Sequence, residues 1–231
     1  MNIEDLYSLY TKNYLVDTDT RTIRPTSIFF ALKGDNFNGN LFAKKALELG
    51  ASYCVIDEAE YEIKGATILV NNVLETLQSL ATYHRQKLGI PIIGITGSNG
   101  KTTTKELILA VLKTQFKATA TRGNLNNHIG VPLTILSFTN ETEIGIVEMG
   151  ANHQNEIEFL SRIAQPDYGL ITNFGKAHLE GFGGLEGVIK GKSELYDYLI
   201  TNDKTVFINT DDNKQIELIG SYNNTITFGT D

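Results

Sequence analysis

Residues 92–106, which read IIGITGSNGKTTTKE, constrain the fold of this chain more than any other stretch. Apolar residues precede a turn that contains Gly97 and Gly100, and a helical pattern begins at Lys101. A strand, a glycine turn and a helix in this order are typical of a phosphate-binding loop. Glycines let backbone N–H groups approach phosphate oxygens, and a helix N-terminus favours negative charge. The sequence therefore predicts an α/β fold with a phosphate site at this turn.

Two side chains of this turn have predicted roles of their own. The Lys101 ammonium can reach the β- and γ-phosphates of a nucleotide, and the Thr102 hydroxyl can bind Mg²⁺. The usual pattern has a further glycine five residues before Gly100, where this chain has Ile95. An ordinary tight turn with a surface lysine is therefore the alternative. The residues expected to bind the nucleotide are Thr96, Gly97, Ser98, Asn99, Gly100, Lys101, Thr102 and Thr103.

Composition argues against several classes of partner. With 20 basic and 27 acidic residues, the chain has a formal net charge of −7, which disfavours broad binding of nucleic acid or of anionic membranes. Cys54 is the single cysteine, so no disulfide framework exists, as suits a reducing compartment. The N-terminus lacks the basic start and apolar core of a signal peptide, and no stretch approaches the length of a membrane span. We expect a cytoplasmic protein with neither nucleic-acid nor membrane partners.

Hydrophobic patterns divide the chain into two predicted domains, residues 1–88 and 89–231. The first has predicted strands at 28–32, 53–56 and 67–70 and predicted helices at 42–49 and 73–88, with loops at 17–21 and 33–40. From Pro91 onward strands and helices alternate, and strands are predicted at 144–147, 168–172 and 206–208. We therefore predict a small N-terminal α/β domain, followed by a P-loop-type central domain with a mostly parallel sheet flanked by helices.

Polar clusters follow several strands of the predicted central domain. Ligands of an open parallel sheet bind beyond the carboxyl ends of its strands, so we expect the phosphate loop, Glu148, residues 173–180 and residues 209–212 to share one edge. Glu148 closes an apolar strand, where a carboxylate can bind the Mg²⁺ of a nucleotide directly or through water. His178, in a glycine-rich loop, is a candidate metal or phosphate ligand, although a loop histidine often has neither role.

A lysine lies on the apolar face of the helix predicted over residues 185–199. The apolar stripe of this helix consists of Leu185, Val188, Leu195 and Leu199. Position 192 belongs to the same stripe, and it is a lysine. Such a side chain either extends along apolar surface to reach solvent or is desolvated. Desolvation lowers the pKa of a lysine and leaves a neutral amine for covalent chemistry.

A set of short motifs, spread over nearly the whole chain, resembles the Mur ligase family. The motifs are residues 19–21, 30–34, 50–51, 96–103, 124–134, 148–153, 171–173, 177–182 and 190–192. The resemblance implies ATP-dependent amide synthesis with ATP and Mg²⁺. The terminal carboxylate of UDP-N-acetylmuramoyl-tripeptide takes the γ-phosphoryl group of ATP, and the amine of D-alanyl-D-alanine then attacks the acyl phosphate.

The resemblance also implies roles for individual residues. Lys101, His178 and Lys192 are the implied catalytic residues, and Lys101 neutralises charge during phosphoryl transfer. Thr102 and Glu148 are the implied ligands of one metal ion. His178, together with Lys192 carbamylated by CO₂, supports a second. The implied substrate-binding residues are Thr20, Arg21, Lys33, Gly34, Asn126, Asn127, Asn152 and His153. We expect a monomer.

The sequence departs from the family pattern at two points. Family members often have Asp-Gly-His where this chain has Asn38-Gly39-Asn40, which leaves the contacts of the first domain open. They also have a third, C-terminal domain that binds the dipeptide and closes over ATP, whereas this sequence ends at Asp231. We therefore expect a fragment of a longer enzyme that does not complete ligation alone.

Three alternatives to this interpretation stay open. Another Mur-type ligase is one, although the motifs at residues 124–134, 148–153 and 177–182 distinguish members of the family better than the phosphate loop does. Folylpolyglutamate synthase shares the phosphate loop and the lysine but lacks a uridine-type first domain. A non-catalytic nucleotide-binding module is the third. A P-loop kinase or GTPase is disfavoured because we identify no guanine-reading motif. The sequence leaves open whether the third residue of the tripeptide is diaminopimelate or lysine.

Overall fold

The computed structural model describes residues 1–175 and 179–230, and of Leu179 only the backbone. Over these residues the chain forms two parallel sheets with helices packed against them. The predicted α/β class, with a mostly parallel central sheet flanked by helices, is confirmed.

The first sheet is built from the N-terminal part of the chain. The strands within residues 1–89 are β1 (Val16–Asp17), β2 (Ile28–Phe30), β3 (Lys33–Gly34), β4 (Phe37–Asn38), β5 (Tyr53–Ile56) and β6 (Thr67–Leu69). The helices are α1 (Ile3–Tyr10), α2 (Ala43–Glu48) and α3 (Val73–Leu88). Strands β1, β2, β5 and β6 pair in parallel, in that spatial order. The predicted strands and helices of this part are all present.

The prediction of a loop over residues 33–40 is wrong in part, because strands β3 and β4 form an antiparallel hairpin there. A 3-10 helix over Gly39–Phe42 follows the hairpin. The side chain of Asn40 is fully buried and ties this segment to the end of β5, since its Nδ2 donates to Asp57 Oδ1 at 2.9 Å and its Oδ1 accepts from Asp57 N at 3.0 Å. Contacts with a residue distant in sequence therefore stabilise strands too short to show a hydrophobic pattern.

The second sheet begins after Pro91. Within the described residues its strands are β7 (Ile92–Thr96), β8 (Ala118–Ala120), β9 (Ile144–Glu148), β10 (Tyr168–Ile171), β11 (Thr205–Asn209) and β12 (Thr225–Phe228). The helices are α4 (Lys101–Leu112), α5 (Gly130–Ile135), α6 (Glu156–Ala164), α7 (Leu179–Phe182), α8 (Leu185–Thr201) and α9 (Asn213–Ile219). In the described part of the chain, none of the helices is both long and apolar enough to cross a membrane.

The order of the second sheet is β12-β11-β10-β7-β9-β8, with every pair parallel. Strands β8 and β9 lie on one side of β7, and the later strands β10, β11 and β12 lie on the other. Strand β7 is therefore at the switch point of the topology. In the register of the sheet, Ile95 of β7 pairs with Glu148 of β9 and with Leu170 of β10. The segments that follow these three strands therefore meet at one edge, where ligands of such sheets bind.

Helices cover both faces of the second sheet. Helix α4 packs on one face through Ile108, Leu109 and Leu112, and α5, α6 and α8 pack on the other. The helix predicted over residues 185–199 is present as α8, and Val188 and Leu195 of its apolar stripe are fully buried. Helices α4 and α8 thus each direct an apolar stripe toward the second sheet, on opposite faces of the strands whose ends form the site.

Helix α3 connects the two sheets and packs against both parts of the chain. It contacts α1 on one side and α5 and α6 on the other. Arg85, 7% exposed, donates from Nε to Ala164 O at 3.0 Å and from Nη2 to Gln165 O at 2.8 Å. The same Nη2 lies 2.7 Å from Asp167 Oδ2. These bonds fix α3 against the loop that leads into β10.

We expect the substitution Arg85→Met to lower the free energy of unfolding by about 3 kcal/mol, because it removes a buried cation that pairs with the Asp167 carboxylate and leaves two carbonyls without their side-chain donor. Urea denaturation measures the change. The control is Lys87→Met, an exposed position of the same helix, where we expect a loss below about 1 kcal/mol. Equal losses in the two variants would contradict this account of α3.

Candidate functional site

The phosphate loop, residues 96–103, joins β7 to α4 in a conformation that requires glycine. Gly97 has φ +139°, and a Cβ there would lie 2.0 Å from Thr172 Oγ1 and 2.9 Å from Thr172 N. Gly100 has φ +78° and is the N-cap of α4. The Thr96 side chain is buried, and its hydroxyl donates to Met149 O at 2.8 Å. The predicted strand, glycine turn and helix are all present.

Residues that follow β10 hold the phosphate loop in place through hydrogen bonds. The N–H groups of Ser98 and Asn99 donate to Asn173, to its backbone O at 3.0 Å and its Oδ1 at 3.2 Å. The Thr172 hydroxyl in turn donates to Asn99 O at 2.6 Å. The sequence identified Asn173 as part of a polar cluster after a strand and of the motif at residues 171–173, without a contact partner. Its contact with the loop is tertiary, so no local pattern reveals it.

Lys101 lies over the phosphate loop. Its Nζ donates to Gly97 O at 2.7 Å and to Ser98 O at 3.3 Å. Burial lowers the pKa of Lys101, and the negative charge of Glu148 acts in the opposite direction. The ammonium is thus bonded to the backbone of the loop that the sequence predicts to bind phosphate.

Glu148 is the centre of a hydrogen-bond network at the carboxyl end of β9, and it is 2% exposed. Its Oε2 accepts from the Thr102 hydroxyl at 3.0 Å, and its Oε1 accepts from Asn126 Nδ2 at 2.9 Å. Its backbone N–H donates to Thr121 Oγ1 at 2.9 Å. The structure therefore brings together three predicted site residues, Thr102, Glu148 and Asn126.

The sequence analysis missed Lys105, whose side chain is fully buried beside this network. Its Nζ donates to Thr121 O at 2.6 Å and lies 3.9 Å from Glu148 Oε2. A signal for this residue was available, because position 105 falls on the stripe that continues through Ile108 and Leu112. The same argument identified Lys192. The polar run TTTKE around Lys105 conceals that stripe.

The donors at this point fit a magnesium ion. A threonine hydroxyl and a carboxylate are oxygen ligands of the kind that Mg²⁺ prefers, and the ion usually completes its shell with phosphate oxygens and water. Within residues 1–175 and 179–230, no three His, Cys, Asp or Glu side chains are grouped to bind a metal ion. One hydroxyl and one carboxylate supply only part of an octahedral shell, so the site suits an ion whose other ligands are nucleotide oxygens and water. The predicted ligand His178 lies outside the described residues.

Lys192 is on the inner face of α8 and is 1% exposed, which confirms its predicted position on the buried stripe. Its Nζ donates to Ala151 O at 3.0 Å and lies 4.9 Å from the ring centroid of Phe182. Burial lowers the pKa of Lys192 to about 8. The charge of Lys101 acts in the same direction, and the charge of Glu156 opposes it. The catalytic role of Lys192 stays a prediction.

A cavity of about 430 Å³ opens beside the phosphate loop. Its lining includes Lys101, Asn126, Asn127 and Asn152, all predicted site residues, together with Glu156 and Phe159. Asn152 N and His153 N donate to Glu156 Oε2 at 2.6 and 3.2 Å, so Glu156 shapes this wall. The Asn127 carboxamide accepts from Gly130 N at 2.9 Å at the start of α5. The cavity is polar on the loop side and partly aromatic on the α6 side.

The predicted substrate residues of the N-terminal part lie away from this cavity. Thr20 and Arg21 are in a 3-10 turn that starts after Asp19, whose carboxylate accepts from Arg21 N and Nε. Lys33 lies 3.0 Å from Asp57 and 3.3 Å from Glu58. Gly34 is in β3, beside Lys33.

A second cavity, of about 230 Å³, separates the N-terminal part from the amide-rich loop (residues 121–130) and the segment that follows it. It is lined on one side by Tyr14, Val16, Asp17, Thr18, Asp19, Thr22 and Arg24 and on the other by Arg122, Leu125, Leu133, Leu136 and Ser137. Neighbours of Thr20 and Arg21 thus face the central part of the chain.

Fold and site together define a phosphate-loop α/β protein with the elements of a nucleotide site. Comparison with known families specifies the class further. The model of the Mur ligase middle domain matches residues 95–231, and the model named Mur ligase family, catalytic domain, matches residues 13–88. The chain belongs to the Mur ligase family, which confirms the resemblance seen in the motifs.

Comparison with individual proteins indicates which member of the family the chain is similar to. The chain is 43% identical over 195 residues to the UDP-N-acetylmuramoyl-tripeptide--D-alanyl-D-alanine ligase of Bacillus subtilis, over 84% of this chain and 43% of that one. It is 38% identical over 198 residues to the ligase of the same name from Escherichia coli, over 86% and 43%. The structure of MurF ligase from Thermotoga maritima in complex with ADP superposes with a TM-score of 0.82 at 32% identity, covering 96% of this chain and 51% of that one. The chain spans less than half the length of the two curated relatives.

We expect Gly97→Ala to destabilise the chain by at least about 3 kcal/mol, because a Cβ at this φ collides with Thr172. Urea denaturation measures the loss. Gly65→Ala is the matched control, since Gly65 also has positive φ but a Cβ there would meet no atom of the described residues within 4 Å. Conformational strain alone costs about 1 kcal/mol there. If the two losses agree, close packing of the loop on β10 is not what requires glycine at position 97.

Proposed function

We propose that this chain is part of a ligase that joins D-alanyl-D-alanine to UDP-N-acetylmuramoyl-tripeptide with the use of ATP. One observation carries the proposal, the bond between the Thr102 hydroxyl and the Glu148 carboxylate beside a phosphate loop. The names of the relatives support the choice of substrates. They disfavour folylpolyglutamate synthase and a sister ligase of the family.

The two parts of the chain have separate proposed tasks. Residues 1–88 bind the uridine nucleotide of the substrate, and residues 89–231 bind ATP. A bound ADP in the similar Thermotoga maritima structure supports the second assignment. More than half of each curated relative lies outside the matched region, and we propose that this remainder binds the dipeptide. A monomeric state and a cytoplasmic location stay predictions.

The proposed reaction has two steps. The terminal carboxylate of the tripeptide attacks the γ-phosphorus of ATP, the bond to the β-phosphate oxygen breaks, and ADP leaves. The amine of D-alanyl-D-alanine then attacks the acyl carbon, phosphate leaves, and the nitrogen releases a proton. The acyl phosphate is needed because phosphate is a far better leaving group than the oxide of a free carboxylate.

The residues of the phosphate loop bind and orient the nucleotide in this reaction. Backbone N–H groups at the N-terminus of α4 donate to phosphate oxygens. The Lys101 ammonium exchanges its backbone carbonyl partners for phosphate oxygens, which carry more negative charge. Thr102 and Glu148 are the proposed ligands of Mg²⁺, which when bound neutralises charge on the β- and γ-phosphates.

The remaining predicted residues are divided between the cavity beside this site and the N-terminal part of the chain. Asn126, Asn127 and Asn152 line the 430 Å³ cavity, which supports their proposed contacts with the peptide. His153 is on the same segment as Asn152, and its ring lies 3.3 Å from Glu156 Oε1. Support for the N-terminal contacts is weaker at Lys33, because two carboxylates already neutralise its charge. Thr20, Arg21 and Gly34 stay proposed contacts of the uridine nucleotide.

Thermal denaturation tests the proposed function. A ligand at one hundred times its Kd stabilises the folded state by about 2.7 kcal/mol, so Mg·ATP and UDP-N-acetylmuramoyl-tripeptide should each raise the Tm of this chain. Lys101→Met should abolish the response to Mg·ATP and preserve the response to the tripeptide. Lys113→Met, an exposed position at the end of α4, should preserve both. A rise in Tm with a folate substrate, or none with Mg·ATP, would refute the proposal.

We also propose that CO₂ carbamylates Lys192, as the family resemblance implies. The neutral amine attacks the carbon of CO₂, an N–C bond forms, and a proton goes to solvent. Since burial lowers the pKa of Lys192 to about 8, the neutral amine is more abundant than at an ordinary lysine. The product is a carboxylate that, with His178, is proposed to support a second metal ion.

Carbon-13 NMR in labelled bicarbonate detects this modification. We expect a carbamate resonance from the wild-type chain, stronger above pH 8 than below it, because only the neutral amine reacts. Lys192→Arg should remove the resonance, and Lys190→Arg, at a less buried position of the same helix, should not. A resonance that persists in Lys192→Arg would assign the modification to another lysine.

A further inference from the structure

Lys105 is a buried cation to which neither the family motifs nor the proposed reaction assigns a role. It is fully buried in the second turn of α4, on the face that packs against the sheet. Its ammonium donates to Thr121 O at 2.6 Å and lies 3.1 Å from the carboxylate of Glu106, which is largely exposed. The nearest buried charge is Glu148, at 3.9 Å.

The surroundings of Glu148 explain why a cation is useful at this point. A carboxylate removed from water needs compensating charge as well as hydrogen bonds. The side-chain donors that contact it, Thr102 and Asn126, are both neutral. The charge of Lys101 interacts with that of Glu148, but its ammonium is hydrogen-bonded to the loop carbonyls of Gly97 and Ser98 and forms no salt bridge with a described residue. Lys105 is therefore the buried positive charge that forms a salt bridge with Glu148.

The network also joins the two chain segments that carry the proposed metal ligands. Lys105 and Thr102 are on α4, one turn apart, and Glu148 is on β9. Between them is Thr121, whose carbonyl accepts from Lys105 and whose hydroxyl accepts from Glu148 N. A change at Lys105 therefore acts on both ligands through contacts visible in the structure.

We propose that Lys105 is an internal counter-ion that compensates the charge of Glu148 when no divalent cation is bound. The inference rests on the proposed function only in so far as Glu148 is a metal ligand. Lys105 is fully buried and acts through Glu148, so it is a positioning residue. It holds the Glu148 carboxylate oriented toward Thr102 whether or not a metal ion is bound. Without Lys105, the stability of the chain should depend on a divalent cation.

The test compares Tm in metal-free buffer and in buffer with MgCl₂ or MnCl₂, with ionic strength matched by KCl. Lys105→Met keeps the length and the apolar stem of the side chain and removes the charge. We expect it to lower the metal-free Tm by about 10 °C. Magnesium or manganese should restore at least half of this loss and change the wild-type Tm by less than about 1 °C. Lys113→Met, at the exposed end of the same helix, should match the wild type.

A double-mutant cycle with Glu148→Gln separates charge compensation from packing. The double variant Lys105→Met/Glu148→Gln should melt above Lys105→Met in metal-free buffer, because no uncompensated charge remains. It should not respond to magnesium. If Lys105→Met does not fold without metal, recovery of folding by magnesium and in the double variant supports the proposal equally.

Two results would overturn the inference. One is a Lys105→Met variant whose loss of stability is the same with and without divalent cations, because Lys105 would then serve packing alone. The other is additivity of the two single substitutions. Failure of the proposed function is separate, because it appears as a wild-type chain that does not respond to Mg·ATP or to the tripeptide.

Discussion

The buried carboxylate of Glu148 is the constraint on which the rest of the site depends. A charge that is 2% exposed is tolerated only if donors and a cation surround it. Those partners come from separate segments: Thr102 and Lys105 from α4, and Asn126 from the amide-rich loop. The need to compensate one charge therefore fixes the positions of two segments relative to β9. Thr121, which follows β8, holds a third segment there because its hydroxyl accepts from the Glu148 backbone N–H.

The opposite side of the phosphate loop is fixed by backbone groups rather than by charge. Asn173 accepts from two consecutive N–H groups of the loop, and the packing of Gly97 on Thr172 leaves no room for a side chain. The loop is thus held between β9 and β10, the two neighbours of β7 at the switch point. A preformed loop reduces the ordering that phosphate binding would otherwise require.

Periodicity predicted the parts of the fold that obey long, regular patterns. Helices α3 and α8 and the buried strands β7, β9 and β10 follow from apolar spacing, and the same spacing placed Lys192 on an inner face. The hairpin of β3 and β4 did not follow from it, because a tertiary bond between Asn40 and Asp57 stabilises that segment. Lys105 was missed because polar neighbours conceal its stripe, although the rule that revealed Lys192 applies to it.

Lys101, Lys105 and Lys192 have the same side chain, but the groups that surround each ammonium in the protein differ. Lys105 has a carboxylate within salt-bridge distance, so its charge is compensated inside the protein. Lys101 is bonded to loop carbonyls, partners that phosphate oxygens can replace. Among the described residues Lys192 forms no salt bridge, and its ammonium contacts the Ala151 carbonyl and the Phe182 ring. Burial lowers the pKa of Lys192, so its neutral form is less costly to populate than that of a lysine in water, which is the property that the proposed reaction with CO₂ requires.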